Sequence, residues 1–245
     1  MQTICLTNRK GGVGKTTATQ QIGAGLTRLG YKVLFIDLDS QHNLTDSVGA
    51  EINDRNIVEV LQGNMKAADA IQHTEQGDII PAVSTLANID DLNSNTLRGV
   101  LKPLQQDYSF CLIDTPSQLG AVTVNALTAS DSVIIPATPE HLALKGIVTV
   151  SKVIKAVQEK TNPGLKIKGI LMNMYGGRSN IEKAMLENCE DLAKQLNTKV
   201  FKSTIRKNIA LSEASFFEKD IFSYSIRSKG AVDFASLINE ILKDV

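Results

Sequence analysis

The stretch Lys10-Gly11-Gly12-Val13-Gly14-Lys15-Thr16-Thr17 follows directly on the apolar run Thr3-Ile4-Cys5-Leu6-Thr7. A strand that empties into a glycine-rich loop and then a helix turns successive backbone N–H groups toward one point, where the helix dipole adds positive potential suited to phosphate. The glycines are needed because a Cβ would obstruct that wrap. Lys15 is placed to contact the β- and γ-phosphates of a nucleoside triphosphate, and the Thr16 hydroxyl to ligate Mg²⁺. The loop departs from the usual G-x-x-x-x-G-K-[ST] pattern. Arg9 stands where the first glycine belongs, and an extra lysine, Lys10, follows it.

Outward from this loop, apolar β-branched runs alternate with helical patterns along the chain. The strands are expected at Thr3–Thr7, Val33–Asp37, Asp78–Ala82, Phe110–Asp114, Ser132–Pro136, Ile167–Asn173 and Lys199–Phe201. Between them lie helices near Thr16–Leu29, Thr96–Gln105, Ala121–Ala129, Leu142–Lys160, Ile181–Leu196 and Ala231–Leu242, the first closed by Gly30 as a C-cap. This alternation predicts an α/β fold of the P-loop NTPase kind, a mostly parallel twisted sheet with helices on both faces. With no Pro/Ser/Gly-rich linker, residues 1–245 read as a single domain. Ligands in such sheets bind beyond the carboxyl ends of the strands, and four strands deliver polar residues there: Asn8–Lys10, Asp37–Asp39, Asp114–Thr115 and Asn173. The stretch Glu51–Asp91 is more polar and carries no regular pattern.

Two further segments carry chemistry. Val33-Leu34-Phe35-Ile36-Asp37-Leu38-Asp39 ends in two carboxylates at i and i+2, which share one face of a strand. At the mouth of a phosphate site one carboxylate would hydrogen-bond the attacking water while the other orients the magnesium shell or the loop. Capping of the next helix, near Asn43 and Thr45, is the alternative role for both. Phe110-Cys111-Leu112-Ile113-Asp114 has the form of a Walker B strand, with Asp114 holding Mg²⁺ through water.

Composition narrows the class. Cys5, Cys111 and Cys189 lie far apart, with neither C-x-x-C spacing nor a histidine cluster beside them, which fits core thiols in a reducing cytoplasm. The first strand begins almost at once, leaving no room for a signal peptide, and no apolar run approaches the length of a membrane span. The net charge is zero, yet residues 1–144 carry nine basic against fifteen acidic side chains and residues 145–245 carry seventeen against eleven. One part of the fold therefore has the charge for a basic face, although lysines equally decorate solvated helices.

Taken together, Lys10–Thr17 resembles the deviant Walker A motif of the ParA/MinD ATPases, whose mark is the early lysine. Asp37-Leu38-Asp39-Ser40-Gln41-His42-Asn43-Leu44-Thr45 is similar to the family's DLDPQGNLT block, and Asp114-Thr115-Pro116 to its Walker B. Ile205–Ala214 and Ser228–Ala231 are similar to the closing blocks of small ParA/Soj partition proteins, so the likeness runs from Thr3 to the last helix. It leaves no room for the N-terminal helix-turn-helix domain of larger partition ATPases. Three positions depart from the pattern: Ser40 replaces a proline, His42 a glycine, and Ser117 the second proline after the Walker B aspartate.

The resemblance implies an ATPase that uses ATP and Mg²⁺. Lys10 would reach across a nucleotide-sandwich homodimer to the partner's phosphates. Asp39 would position or activate the water, with Asp37 in support, while Gly11, Gly12, Val13 and Gly14 wrap the phosphates. Lys15 and Thr16 take the phosphate and Mg²⁺ roles, Asp114 completes the metal site, and Thr17 touches the α-phosphate. Asn173 would read the base edge, with Ile205 and Arg206 lining the same pocket. No N-K-x-D guanine signature is present, which favours adenine. The implied function is DNA partition in the cytoplasm, at the nucleoid: the ATP dimer binds DNA without sequence preference, and a ParB-like centromere-binding partner triggers hydrolysis. Arg178, Lys199, Lys202, Arg206, Lys207, Arg227 and Lys229 are the candidate DNA face. A MinD-like membrane-positioning ATPase is the rival reading. The final segment, Val232–Val245, has apolar residues at 234, 237, 238, 241, 242 and 245, a core-facing stripe, and its polar face carries Asp233, Glu240 and Asp244 against Lys243 alone, which anionic lipid would repel. A nitrogenase-iron-protein type is disfavoured because no cysteine pair is presented for a bridging cluster. A ligase or kinase of the same superfamily would need a small-molecule acceptor pocket.

Overall fold

The computed structural model describes residues 1–89, 91–140 and 143–243. Its strands are β1 (Gln2–Leu6), β2 (Val33–Asp37), β3 (Gln72–Thr74), β4 (Gly77–Ile80), β5 (Phe110–Asp114), β6 (Ser132–Ala137) and β7 (Lys166–Met172). Among the described residues these form one sheet in the order β3-β4-β2-β5-β1-β6-β7, parallel throughout except for the β3–β4 hairpin. The helices are α1 (Lys15–Arg28), α2 (Asn43–Ser47), α3 (Ile57–Leu61), α4 (Ala67–Ala70), α5 (Thr96–Leu101), α6 (Ala121–Ala129), α7 (Ala143–Lys160), α8 (Asn180–Gln195), α9 (Ile209–Phe216), α10 (Ile221–Ser225) and α11 (Lys229–Leu242).

Every side chain of β2 and β5 is buried, as a sheet covered on both faces requires. Alternate residues serve opposite faces. Ile4, Leu6, Val33, Phe35, Phe110 and Leu112 join one core with α1 and α11, while Cys5, Leu34, Ile36, Cys111 and Ile113 join the other with α3, α5, α6 and α7. All three cysteines are buried free thiols. Helix α1 lies so close to β2 that a Cβ on Gly23 would come within 2.1 Å of the Phe35 ring.

The topology positions the site. Strand order reverses on either side of β1, and ligands of open α/β sheets bind at such a switch point. Register then aligns the strand ends: Leu6 pairs with Asp114, and Asp37 pairs with Asp114. The phosphate loop and both strand-end aspartates thus share one level of the sheet.

Three expectations are corrected. Lys199–Phe201 is no strand; it borders β7 through the bridge Ile170–Val200, and Asn173–Ile205 forms a second isolated bridge further on. This irregular strip bonds the outer edge of β7 with Ile170 N donating to Lys199 O and Phe201 N to Ile170 O, which shields an edge strand from stray pairing. The expected helix Thr96–Gln105 is α-helical only to Leu101, then tightens into a 3₁₀ turn at Lys102–Leu104, where Pro103 has no N–H to continue the ladder. The Glu51–Asp91 stretch holds α3, α4, a 3₁₀ turn at Ser84–Asn88 and the unforeseen strand β3. Leu142, the expected start of α7, lies outside the described residues, as do Asp244 and Val245 of the expected terminal stripe.

Candidate nucleotide site

Helix α1 begins without a side-chain cap. Its N-cap is Gly14, in the left-handed region at φ 83°, so the N–H groups of the first turn are left for a ligand. A Cβ on Gly14 would fall 2.0 Å from Asn173 Nδ2, so only glycine fits. Gly12 is also left-handed, at φ 73°, and has open space where its Cβ would stand. Uncapped amides facing an open glycine loop suit a phosphate group.

Two adjoining cavities open here. One of about 520 Å³ is lined by Gly12, Lys15, Thr16, Gln20, Asp39 and Ser117 among others. The second, about 400 Å³, is lined by Asn173, Arg206, Lys207, Asn208 and Ile209 among others. Gly14, Thr17, Met174 and Ser215 border both. The pair has room for phosphates on one side and a nucleoside on the other.

Lys15, Thr16 and Asp39 line the first cavity. Lys15 is buried, and its Nζ donates to Ser117 Oγ at 3.0 Å. Burial lowers its pKa, while Asp114 and Asp39 raise it. Thr16 Oγ1 donates to Asp114 Oδ2 at 2.6 Å, so the hydroxyl and carboxylate expected to serve Mg²⁺ already touch. Asp114 is fully buried, and burial together with neighbouring Asp37 pushes its carboxyl well above the ordinary range, opposed by Thr16 and Lys15. A cation at this point would reverse that balance. Among the described residues no three His, Cys, Asp or Glu side chains gather as a metal centre. A site of one hydroxyl and one carboxylate suits Mg²⁺, which keeps several waters and takes phosphate oxygens.

Asp37 and Asp39 divide their work instead of facing the cavity as a pair. Asp39 lines it. Asp37 is fully buried: Oδ1 accepts from Asp39 N at 3.0 Å, and Oδ2 accepts from Thr45 N at 2.9 Å and Thr45 Oγ1 at 2.8 Å. Asp37 therefore ties down the loop carrying Asp39, closer to the capping role than to one at the cavity mouth. Burial raises its pKa, and the Thr45 and Asp39 hydrogen bonds pull it back. His42 takes up a left-handed conformation at φ 45°, where glycine would be unstrained, and its Nδ1 lies 3.0 Å from Asp46 Oδ2.

The other expected residues are placed as follows. Lys10 does not line the phosphate cavity. Its Nζ donates to Thr138 Oγ1 at 3.3 Å and pairs with Glu140, while its backbone N–H donates to the Asn8 side chain. Gly11 is exposed, and Val13 buries its side chain and offers its carbonyl to Asn173 Nδ2 at 2.8 Å. Both ends of the Asn173 amide are engaged, since Oδ1 accepts from Met174 N at 2.9 Å. Asn173 thus braces the phosphate loop from the wall of the second cavity. Ile205 is corrected outright: it is buried in the core with Phe201 and Leu211, because its bridge to Asn173 turns it inward, and of the pair Ile205 and Arg206 it is Arg206 that reaches the cavity. Arg206 itself is clamped by Asp233, with Nη2 2.6 Å from Oδ1 and Nε 2.9 Å from Oδ2.

Sequence reasoning missed Thr138, Glu140 and Gln20. The first two lie about 130 residues from Lys10 with no motif to announce them. Gln20 belongs to a buried set that joins α1 to Ser47 O, Gln76 and Lys219 O, and it reads in sequence as a plain helical glutamine.

Fold and site together define a P-loop ATPase with a deviant phosphate loop. The AAA_31 family model, an AAA domain, matches residues 1–167. The chain is 37% identical to the sporulation initiation inhibitor protein Soj of Bacillus subtilis, over 97% of each chain. It is 34% identical to the chromosome partitioning protein ParA of Myxococcus xanthus, over 98% of this chain and 87% of that one. Among solved structures it is similar to a cobyrinic acid a,c-diamide synthase from Mycobacterium smegmatis with bound ATP analog and magnesium, at 31% identity and a TM-score of 0.84 over 99% of this chain and 95% of that one. The chain belongs to the ParA/Soj family of P-loop ATPases.

Proposed function

We propose that this protein is a ParA-type DNA-partition ATPase, in which ATP with Mg²⁺ closes a sandwich dimer, the dimer binds DNA without sequence preference, and a centromere-binding partner triggers hydrolysis. The observation that carries it is the position of Lys10. The extra lysine of the loop stays out of its own phosphate cavity and is a quarter exposed, held there by Thr138 and the solvent-screened Glu140, and in this reading it exchanges those contacts for the phosphates of a second copy. Soj and ParA relatives that span nearly the whole chain support the partition role.

In this reading the first-turn amides of α1 and Lys15 hold the β- and γ-phosphates, and Thr16 and Asp114 hold Mg²⁺. Asp39 accepts a hydrogen bond from the water that attacks the γ-phosphorus as the bond to ADP breaks. Asp37 and Thr45 keep Asp39 in place. A γ-phosphate shared by two subunits makes the dimer last only as long as the phosphate does. On the candidate DNA face, Arg178, Lys202, Lys207, Arg227 and Lys229 are exposed, whereas Arg206 is bound to Asp233 and Lys199 lies 4.0 Å from Glu240.

The terminal helix gives the membrane-positioning alternative no support. Phe234, Leu237, Ile238 and Ile241 of α11 are buried, Asp233 clamps Arg206, and Glu240 accepts from Lys202 N and Ser203 N. Among the described residues no helix is long and apolar enough to cross a membrane.

The test combines DNA retention with an ATPase assay, with and without DNA and a candidate partner protein, on wild type, Asp39→Ala and Lys10→Ala. Asp39→Ala should lose hydrolysis, by about 100-fold or more for a residue that positions the water, yet keep ATP-dependent DNA binding. Lys10→Ala should lose dimers and DNA retention together. Full partner-stimulated hydrolysis and DNA binding in Lys10→Ala would defeat the shared-site reading.

A further inference from the structure

Ser117 stands in the phosphate cavity where the family pattern has a proline. It is half-buried on the loop that follows Asp114, and a Cβ on Gly11 would come within 3.7 Å of its Oγ, so it faces the phosphate loop across the cavity. Its Oγ accepts from Lys15 Nζ at 3.0 Å. A lysine ammonium only donates, so the hydroxyl keeps its own proton to give. Proline in that place has no such group.

We propose that Ser117 is a γ-phosphate-contacting residue, which donates its hydroxyl proton to the terminal phosphate once Lys15 has swung from Ser117 to the nucleotide. The inference rests on the ATP site and not on DNA binding. Three features of the cavity meet here. Ser117 shares its cavity wall with Lys15, Thr16 and Asp39, the groups that surround the reacting end of a triphosphate. The lysine expected to grip the β- and γ-phosphates is the one that Ser117 holds, so the two side chains lie within one hydrogen bond of the same point. The serine also lies three residues beyond Asp114, on the segment whose position would then report whether a γ-phosphate is present.

The contact has a signature separable from the parking of Lys15. Releasing Lys15 from Ser117 costs the free protein the same whichever nucleotide enters, so that cost cancels in the ratio of the two affinities. A bond to the γ-phosphate strengthens only triphosphate binding. The experiment titrates ADP and the non-hydrolysable analogue AMP-PNP, each with Mg²⁺, into wild type, Ser117→Ala and Ser117→Thr at one fixed protein concentration, since dimer formation is linked to triphosphate binding. Ser117→Ala should lower the preference for AMP-PNP over ADP about tenfold, the size of one hydrogen bond to a charged group, with ADP binding unchanged or tighter. Ser117→Thr, which keeps the hydroxyl, should restore the preference to within about twofold of wild type. An unchanged ratio in Ser117→Ala would overturn the proposal, as would an equal weakening of both nucleotides, the mark of a merely structural role. Wild-type protein that bound neither nucleotide would overturn the nucleotide site itself and the proposal with it.

Discussion

Lys10 is held within its own subunit. Glu140 and Thr138, from the end of β6 and the turn beyond it, draw its ammonium away from the phosphate loop that carries it. The dimer reading requires that ammonium to be released, so the Glu140 contact competes with assembly. Glu140 is largely exposed and solvent screens the pair, which limits its worth to that of a surface ion pair. Neutralising the carboxylate should therefore help dimer formation modestly. Glu140→Gln is expected to shift ATP-dependent dimerisation, read by sedimentation or light scattering, to a protein concentration lower by up to about fivefold. A shift to higher concentration would show that Glu140 serves the dimer. Lys10 stands out in the motif as an extra cation where the usual phosphate loop has none. Its partner was not legible, because contact between residues 10 and 140 exists only after β1 and β6 pair. Asp37 takes the supporting one of the roles open to it in sequence. A strand-end carboxylate beside a phosphate loop looks reactive, yet two donors from Thr45 and one from Asp39 commit it to holding the loop.

The elements divide by how they bury themselves. Strands β1, β2 and β5 were readable because burial on both faces demands continuous apolar runs, and register places their ends together. Strand β3 was unreadable because Gln72-His73-Thr74 is a short antiparallel edge whose polar side chains carry no alternation. Lys199–Phe201 misled for the converse reason, a short stretch around Val200 and Phe201 that only skirts an edge. Helix α8 is closed by local chemistry instead: Ser179 accepts from Glu182 N while the Glu182 carboxylate accepts from the N–H groups of Ser179, Arg178 and Gly176. These backbone donors hold the Glu182 pKa down at about 2, against an ordinary 4.5. A carboxylate with a depressed folded-state pKa contributes stability above its unfolded pKa and loses it as pH falls toward the folded value. Glu182→Gln should accordingly unfold at lower urea than wild type at pH 7, with the gap closing progressively below pH 4.5. A gap that stayed constant with pH would show that the cap works through packing and not through charge. Ser179→Ala should cost about 1 kcal/mol at pH 7 in the same assay, with nucleotide binding unchanged.

Charge over the whole molecule separates by position in the chain. Residues 1–144 carry the acidic excess and most of the phosphate site, while the second part carries the basic excess. A single copy offers few exposed cations on the candidate face, and Arg206 is already spent on Asp233. Phosphate-backbone binding depends on the number of phosphates neutralised, with log K falling against log salt at a slope of about −0.9 for each one on duplex DNA. An ATP-linked dimer that aligns two such faces should therefore roughly double the slope as well as tighten binding at low salt. DNA affinity measured from low to moderate salt should show a steep slope with AMP-PNP and Mg²⁺, and about half that slope with ADP. Lys207→Ala should reduce the AMP-PNP slope by about two, one for each subunit, and equally on unrelated DNA sequences. Arg206→Ala should leave the slope near wild type and instead lower the urea midpoint, because it strands Asp233 at 8% exposure without its guanidinium. Equal slopes in the two nucleotide states would mean that ATP does not double the basic face, and the partition reading would lose its link between assembly and DNA.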